Sequence, residues 1–219
     1  MTDRTDTAHR YWDARWTSAQ GRDDWLVPDA TVAACAERLW SEGARRVLDL
    51  GCGVGRHALM LAEMGYAVTA LDGAAEGLAV LRDEARARGL AIDIAEGLMT
   101  SLPYADAAFD YVLSLNVIYH GDGNVVRAAI GEIRRVLKPG GIFQGTMLSK
   151  RNSAYRAGRE VAPDTWINPG DEDKDHPHFY CDAAGLVALF QGFELFELAD
   201  RIYDTPGSWH WYLIAERLP

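Results

Sequence analysis

The sequence predicts an α/β fold, doubly wound around a mostly parallel sheet, and three observations carry that expectation. From Arg45 to Met147, short apolar runs of strand length alternate with segments whose apolar residues recur at helical spacing. Val47, Leu48 and Leu50 leave little polar character in the first run, as suits a strand buried on both faces. The stretch Arg46 to Arg56, RVLDLGCGVGR, then breaks from that strand into a glycine turn that opens a helix. Sheets of this kind take their ligands at the carboxyl ends of the strands.

In chain order, residues 1–44 hold Trp12, Trp16, Trp25 and Trp40, too aromatic for a disordered tail. His9 to Trp16 and Asp29 to Trp40 read as helices, the second started by Pro28 and Asp29. Packing on the sheet edge is the plain reading of their tryptophans. The first strand ends at Leu50, and a helix from Val54 to Met64 stops at Gly65. A strand from Ala67 ends at Asp72, followed by a helix over Ala74 to Arg88 and strands at Ile92–Glu96 and Tyr111–Leu115. Val126, Ile130, Ile133 and Leu137 set the apolar face of a helix over Gly123–Leu137, and Ile142–Met147 is the fifth strand. Residues 148–181 are polar and irregular, a length that suits a lid, with the acidic run Asp171 to Asp175 as a solvated loop. A helix over Asp182–Phe190 and strands at Glu194–Ile202 and Ser208–Glu216, joined by a turn with Pro206 and Gly207, complete seven strands. The expectation is one domain over 1–219, with a helical cap at 1–44 and a lid at 148–181.

With 22 Lys and Arg against 32 Asp and Glu, the net charge of −10 argues against nonspecific attraction to nucleic acid or to an anionic membrane. The start, MTDRTDTAHR, lacks the apolar centre of a signal peptide, and no run approaches the roughly 20 apolar residues of a membrane span. A cytoplasmic location is expected, as monomer or homodimer. Cys35, Cys52 and Cys181 are odd in number and scattered, which fits reduced thiols.

The ligand is read from spacing. In the dinucleotide fingerprint the glycines fall at first, third and sixth positions. Here Gly51, Gly53 and Gly55 are first, third and fifth, Arg56 is sixth, and Asp49 precedes the first by two residues. This resembles the S-adenosylmethionine loop of class I methyltransferases. Asp72, roughly 20 residues on, stands where an acid accepts from ribose hydroxyls. EGLMTSLPYADAAFD, Glu96 to Asp110, and EIRRVLKPGG, Glu132 to Gly141, resemble later parts of the same family, so that the likeness covers about half the chain. One departure is Leu98, where the family usually has an acid against the adenine amine. The chain is similar to methyltransferases of types 11 and 25, and its lid loosely to that of tellurite-resistance methyltransferases.

The resemblance implies a Rossmann-like seven-stranded sheet with an antiparallel last strand, and S-adenosylmethionine as cofactor. Asp49, Gly51, Cys52, Gly53, Gly55, Asp72 and Asn116 would surround its methionine and ribose. Leu98 and Met99 would contact the adenine, and Tyr11 and Trp12 would close the site. Methyl transfer is an in-line displacement and needs a base only where the acceptor must lose a proton. His120 and Tyr119, after the fourth strand, are the catalytic candidates, with His120 able to accept a proton near neutral pH. Arg151, Glu160, His176, His178, Tyr180 and His210 are the candidates for holding a small-molecule acceptor. His176, His178 and Cys181 offer metal-ligand types but lack a fourth partner, so no metal is expected. The N/D-P-P-Y/F sequence of DNA-amine methylation, a Pro-Cys nucleophile and an acidic magnesium triplet are not visible. The alternatives are an NAD-dependent oxidoreductase and a non-catalytic S-adenosylmethionine-binding protein.

Overall fold

A computed structural model describes residues 5–170 and 174–219. Seven strands form the core sheet. Five run parallel: β1 (Arg46–Leu50), β2 (Ala67–Asp72), β3 (Ile92–Glu96), β4 (Phe109–Ser114) and β5 (Leu137–Ser149), side by side in the order β3-β2-β1-β4-β5. Two late strands, here labelled with their place in the chain as β9 (Phe193–Ile202) and β10 (Trp209–Arg217), extend the far edge. β10 lies antiparallel to β5 and to β9, as the resemblance implied.

Helices cover both faces. α3 (Ala30–Ser41), α4 (Arg56–Glu63) and α5 (Ala75–Arg88) pack on one, while α6 (Gly123–Val136) and α7 (Ala183–Leu189) pack on the other. The strand period of two divides each central strand between the faces. Leu48 and Leu50 of β1 and Val112 of β4 enter the α6 side, whereas Val47, Tyr111 and Leu113 enter the α3 side. Helix starts follow the capping residues: Asp29, Asp122 and Asp182 each accept a backbone N–H of the first turn, of Thr31, of Asn124 and Val125, and of Gly185. Two short helices, α1 (Ala8–Trp16) and α2 (Ala19–Asp23), precede α3, and α1 covers the carboxyl end of the sheet.

Two expectations are corrected. β5 begins five residues earlier than the apolar run suggests, because Leu137 already pairs with Phe109 before Gly140 and Gly141. Residues 148–181 are not structureless. They carry β6 (Arg159–Ala162), β7 (Thr165–Ile167) and β8 (His178–Cys181), with β6–β7 and β7–β8 antiparallel and β8 parallel to the end of β5. Among the described residues the sheet system therefore has ten strands. Asp164, at φ 55° in the β6–β7 turn, accepts from Lys150 Nζ and Tyr155 Oη, both at 2.9 Å. Of the acidic run, Asp171 to Asp173 lie outside the described residues, and Asp175 is exposed. Among the described residues no helix is long and apolar enough to cross a membrane.

Candidate functional site

The turn after β1 opens a cavity at the carboxyl end of the sheet. Gly51, Gly53 and Gly55 all take positive φ, at 74°, 53° and 89°. The space two of them clear is filled by the protein itself. A Cβ on Gly51 would overlap the Val117 methyls and one on Gly55 the Leu81 side chain, while one on Gly53 would lie 3.2 Å from the Trp16 ring. The first and third glycines thus serve backbone conformation and packing more than ligand approach. Gly51 and Cys52 donate their N–H groups to the Leu71 carbonyl, tying the turn to β2.

Two carboxylates flank the turn. Asp72, at the end of β2, accepts from the Gly53 N–H and the Ala74 N–H, both at 2.8 Å. Burial raises its pKa, against the pull of the N–H groups it accepts from. Asp49 sits deeper, 3 % exposed, and its Oδ2 has no hydrogen-bond partner. Burial pushes its pKa up to about 7, with Arg56 opposing and Asp72 reinforcing the rise. A buried carboxylate oxygen left open on a cavity wall is a seat for a cationic group.

The cap over this cavity is aromatic. Trp12 and Trp16, one turn apart on α1, stack with ring centres 5.0 Å apart, and Trp25 sets its edge against both. The Arg56 guanidinium lies 5.0 Å from the Trp25 ring. Asp13 anchors α1 by accepting the Glu76 N–H at 2.9 Å. Across the cavity stand Leu98, Met99 and Thr100, and beside them Asn116, whose φ of 62° is held by Thr146. The Asn116 N–H donates to Thr146 Oγ1 at 2.7 Å, and that hydroxyl donates to Asn116 Oδ1 at 2.9 Å. His57, also on the wall, accepts the Asp29 N–H at Nε2, and burial lowers its pKa to about 3.

Of the residues expected around a cofactor, Trp12, Asp49, Gly51, Cys52, Gly53, Asp72, Leu98, Met99 and Asn116 line the cavity. Gly55 lies behind it as the first residue of the α4 cap, and Tyr11 turns away to the His176 ring at 5.2 Å. Trp16, Trp25, His9 and Arg56 line it without having been expected to. Trp16 was findable, since it shares the α1 face of Trp12 at i+4; Trp25 and His9 gave no such signal.

His120 lines the same cavity, but burial and the neighbouring His176, Lys174 and His210 drive its pKa well below the ordinary value. It is therefore a weaker base than its position suggests. Tyr119 points away, against the His120, His178 and His210 rings. His176 and His178 join His120 in one buried cluster, with ring centres 5.0, 4.9 and 4.3 Å apart. The remaining acceptor candidates scatter. Arg151 lies over the Trp209 ring at 3.4 Å and pairs with Asp200; Glu160 is exposed on β6; Tyr180 is buried against Tyr155. His210 packs on Tyr119 and Tyr203. Cys181 faces the Leu148 carbonyl rather than the histidines.

Residues 48–144 match a family described as a methyltransferase domain. Over 109 residues the chain is 37 % identical to the ubiquinone biosynthesis O-methyltransferase of Paramagnetospirillum magneticum, covering 50 % of this chain and 43 % of that one. Over 101 residues it is 43 % identical to the demethylmenaquinone methyltransferase of Thermus thermophilus, covering 44 % of each. The chain thus spans less than half the length of these two relatives. The fold matches the Burkholderia thailandensis 1,6-didemethyltoxoflavin-N1-methyltransferase, solved with bound 1,6-didemethyltoxoflavin and S-adenosylhomocysteine, at a TM-score of 0.68 and 21 % identity over 97 % of this chain and 88 % of that one.

Proposed function

We propose that this chain, which belongs to the class I S-adenosylmethionine-dependent methyltransferases, transfers the cofactor's methyl group to a small, largely apolar acceptor. The observation that carries the proposal is the single cavity in which the glycine turn, the open Asp49 oxygen and His120 meet beneath the tryptophans. When bound, S-adenosylmethionine supplies a methyl carbon on a positively charged sulfur, already activated toward a nucleophile.

The residues present fit that group. Asp49 Oδ2 is placed for an α-ammonium, and ionising it there satisfies an oxygen that otherwise stays buried without a partner. Asp72 spends one lone pair of each oxygen on the turn, which leaves acceptor capacity for ribose hydroxyls. Leu98 and Met99 offer an apolar slot for the adenine in place of the usual acid. Trp12, Trp16 and Trp25 exclude water and give a cationic centre aromatic faces. Leu115, Val117 and His120 make the remaining wall, and the acceptor is oriented there for in-line attack.

The two relatives are named for methylation in ubiquinone biosynthesis and for a demethylmenaquinone methyltransferase, which supports a ring-bearing apolar acceptor for this chain. The NAD reading loses ground at Arg56, which occupies the position of the third fingerprint glycine. The test is incubation with methyl-labelled S-adenosylmethionine and a panel of phenols, quinols, amines, thiols and carbon acids. Label on one acceptor class is the expected result. Cofactor binding with no label on any acceptor would favour the non-catalytic reading.

A further inference from the structure

The three histidines behind the cavity wall come from segments far apart in sequence, and backbone pairing brings them together. His120 follows β4, whereas His176 and His178 lead into β8. An isolated antiparallel bridge joins His120 to His178. On either side of it, Gly121 N donates to the Pro177 carbonyl and Phe179 N to the Tyr119 carbonyl, both at 2.9 Å. The cluster is therefore held by rigid main chain, the kind of support a binding site needs.

One imidazole nitrogen from each ring lies within 4.8 Å of the other two, and all three residues are buried. Nitrogens around a tetrahedral ion with bonds of about 2.1 Å stand roughly 3.4 Å apart, so small ring rotations bring them to ligation distance. The outer contacts already match those of ligating histidines. His178 Nδ1 lies 2.8 Å from the His176 carbonyl, which places its proton there and leaves Nε2 as a lone pair. That Nε2 is buried and has no hydrogen-bond partner. His176 Nδ1 lies 3.1 Å from Asp175 Oδ1, the carboxylate–histidine pairing that orients a ligand ring. Tyr11, Trp12 and Tyr119 pack around the rings as an aromatic shell.

We propose that His120, His176 and His178 bind one divalent transition-metal ion, zinc fitting the all-imidazole set best, with an open position facing the cavity beside His120. Three histidines with an open fourth position are a catalytic rather than a structural zinc arrangement. Lys174 adds positive charge beside this cluster, and the Asp175 carboxylate against His176 Nδ1 opposes it.

Resting on the methyltransferase reading, the site selects acceptors that carry a hydroxyl or thiol able to coordinate the ion. A coordinated hydroxyl releases its proton to water, and the oxygen anion bonds to the methyl carbon. The carbon–sulfur bond breaks with its electron pair left on sulfur, giving a methyl ether and S-adenosylhomocysteine. The ion thus supplies the activation of the coordinated hydroxyl.

Cobalt(II) added to chelator-treated protein tests the site without any turnover. The expected result is one ion per chain, with the visible bands of a four- or five-coordinate nitrogen site and no thiolate charge-transfer band. His120→Asn, His176→Asn and His178→Ala should each weaken cobalt binding by more than the roughly 100-fold that loss of an outer-shell partner costs. His210→Gln, a buried histidine outside the three, should bind as wild type does. If His178→Ala does not fold, the two asparagine variants decide alone. Absence of visible bands in wild type, or equal binding by both asparagine variants, overturns the proposal. The shift in melting temperature with S-adenosylhomocysteine, read on the same samples, separates this failure from failure of the methyltransferase reading.

Discussion

The glycine turn lines the cavity and the histidine cluster reaches it through His120, yet they are built by opposite means. The turn is local: positive φ at three glycines, two N–H groups on Leu71, and two more on Asp72, all within 24 residues of Asp49 to Asp72 or immediately after. Its shape is set by main chain, with Asp49 and Asp72 supplying the side-chain oxygens, so the turn cannot be reshaped without changing the fold. The histidine cluster is long-range and made of side chains, so it can be altered while the sheet persists. A fold shared by many chemistries is expected to divide in this way.

The comparison breaks first at Asp49. Its folded pKa of about 7 lies above the ordinary 3.8, so the native state holds a proton that the unfolded chain has released. Without cofactor, stability should fall as pH rises from about 4 to about 7, by on the order of 4 kcal/mol at the upper end. Asp49→Asn should remove that slope, being more stable than wild type at pH 8 and no better at pH 4. Urea midpoints at the two pH values check it, and parallel curves for both proteins would mean that Asp49 is not a strained open carboxylate.

Gly51→Ala should follow, at about 3 kcal/mol, because a left-handed alanine adds backbone strain to overlap with Val117. Chemical denaturation reads it, and a loss under 1 kcal/mol would show the turn to be more plastic than its φ values imply. Asp72→Ala should cost about 2 kcal/mol through the Gly53 and Ala74 N–H groups, and remove cofactor binding as well. The structure couples both losses, since the same carboxylate holds the turn and faces the cavity. Trp12→Leu should act in the cap alone. A roughly tenfold weaker affinity for S-adenosylhomocysteine by calorimetry, with stability changed by less than about 1 kcal/mol, is the expected result. Equal losses in both would make the tryptophan stack ordinary core.

These differences in origin also explain what the sequence disclosed. The β1 turn, the end of β2 and the α3 start at Asp29 were legible because local backbone demands select glycine and aspartate there, whereas the Asp122 cap emerged only with the structure. β6 to β8 were not, since short strands of polar residues lack a clear apolar alternation. Tyr11 was misplaced for want of helix rotation: it sits about 100° from Trp12 around α1 and reaches His176 instead. Cys181 looked like a partner for His178 only by proximity. Three residues on along β8, it faces the opposite side, where Leu148 O receives its thiol. His120 takes that place through a main-chain bridge between residues 58 positions apart, which no local pattern announces.

The most direct measurement is the melting temperature of the wild-type protein with S-adenosylhomocysteine, S-adenosylmethionine, NAD and NADP side by side. At about 100 times its dissociation constant a native-state ligand adds roughly 2.7 kcal/mol, a rise of about 5 to 10 °C for a chain of this size. The account predicts that rise with the two sulfur compounds and none with the nicotinamides. A rise with NAD or NADP and none with S-adenosylhomocysteine would contradict it.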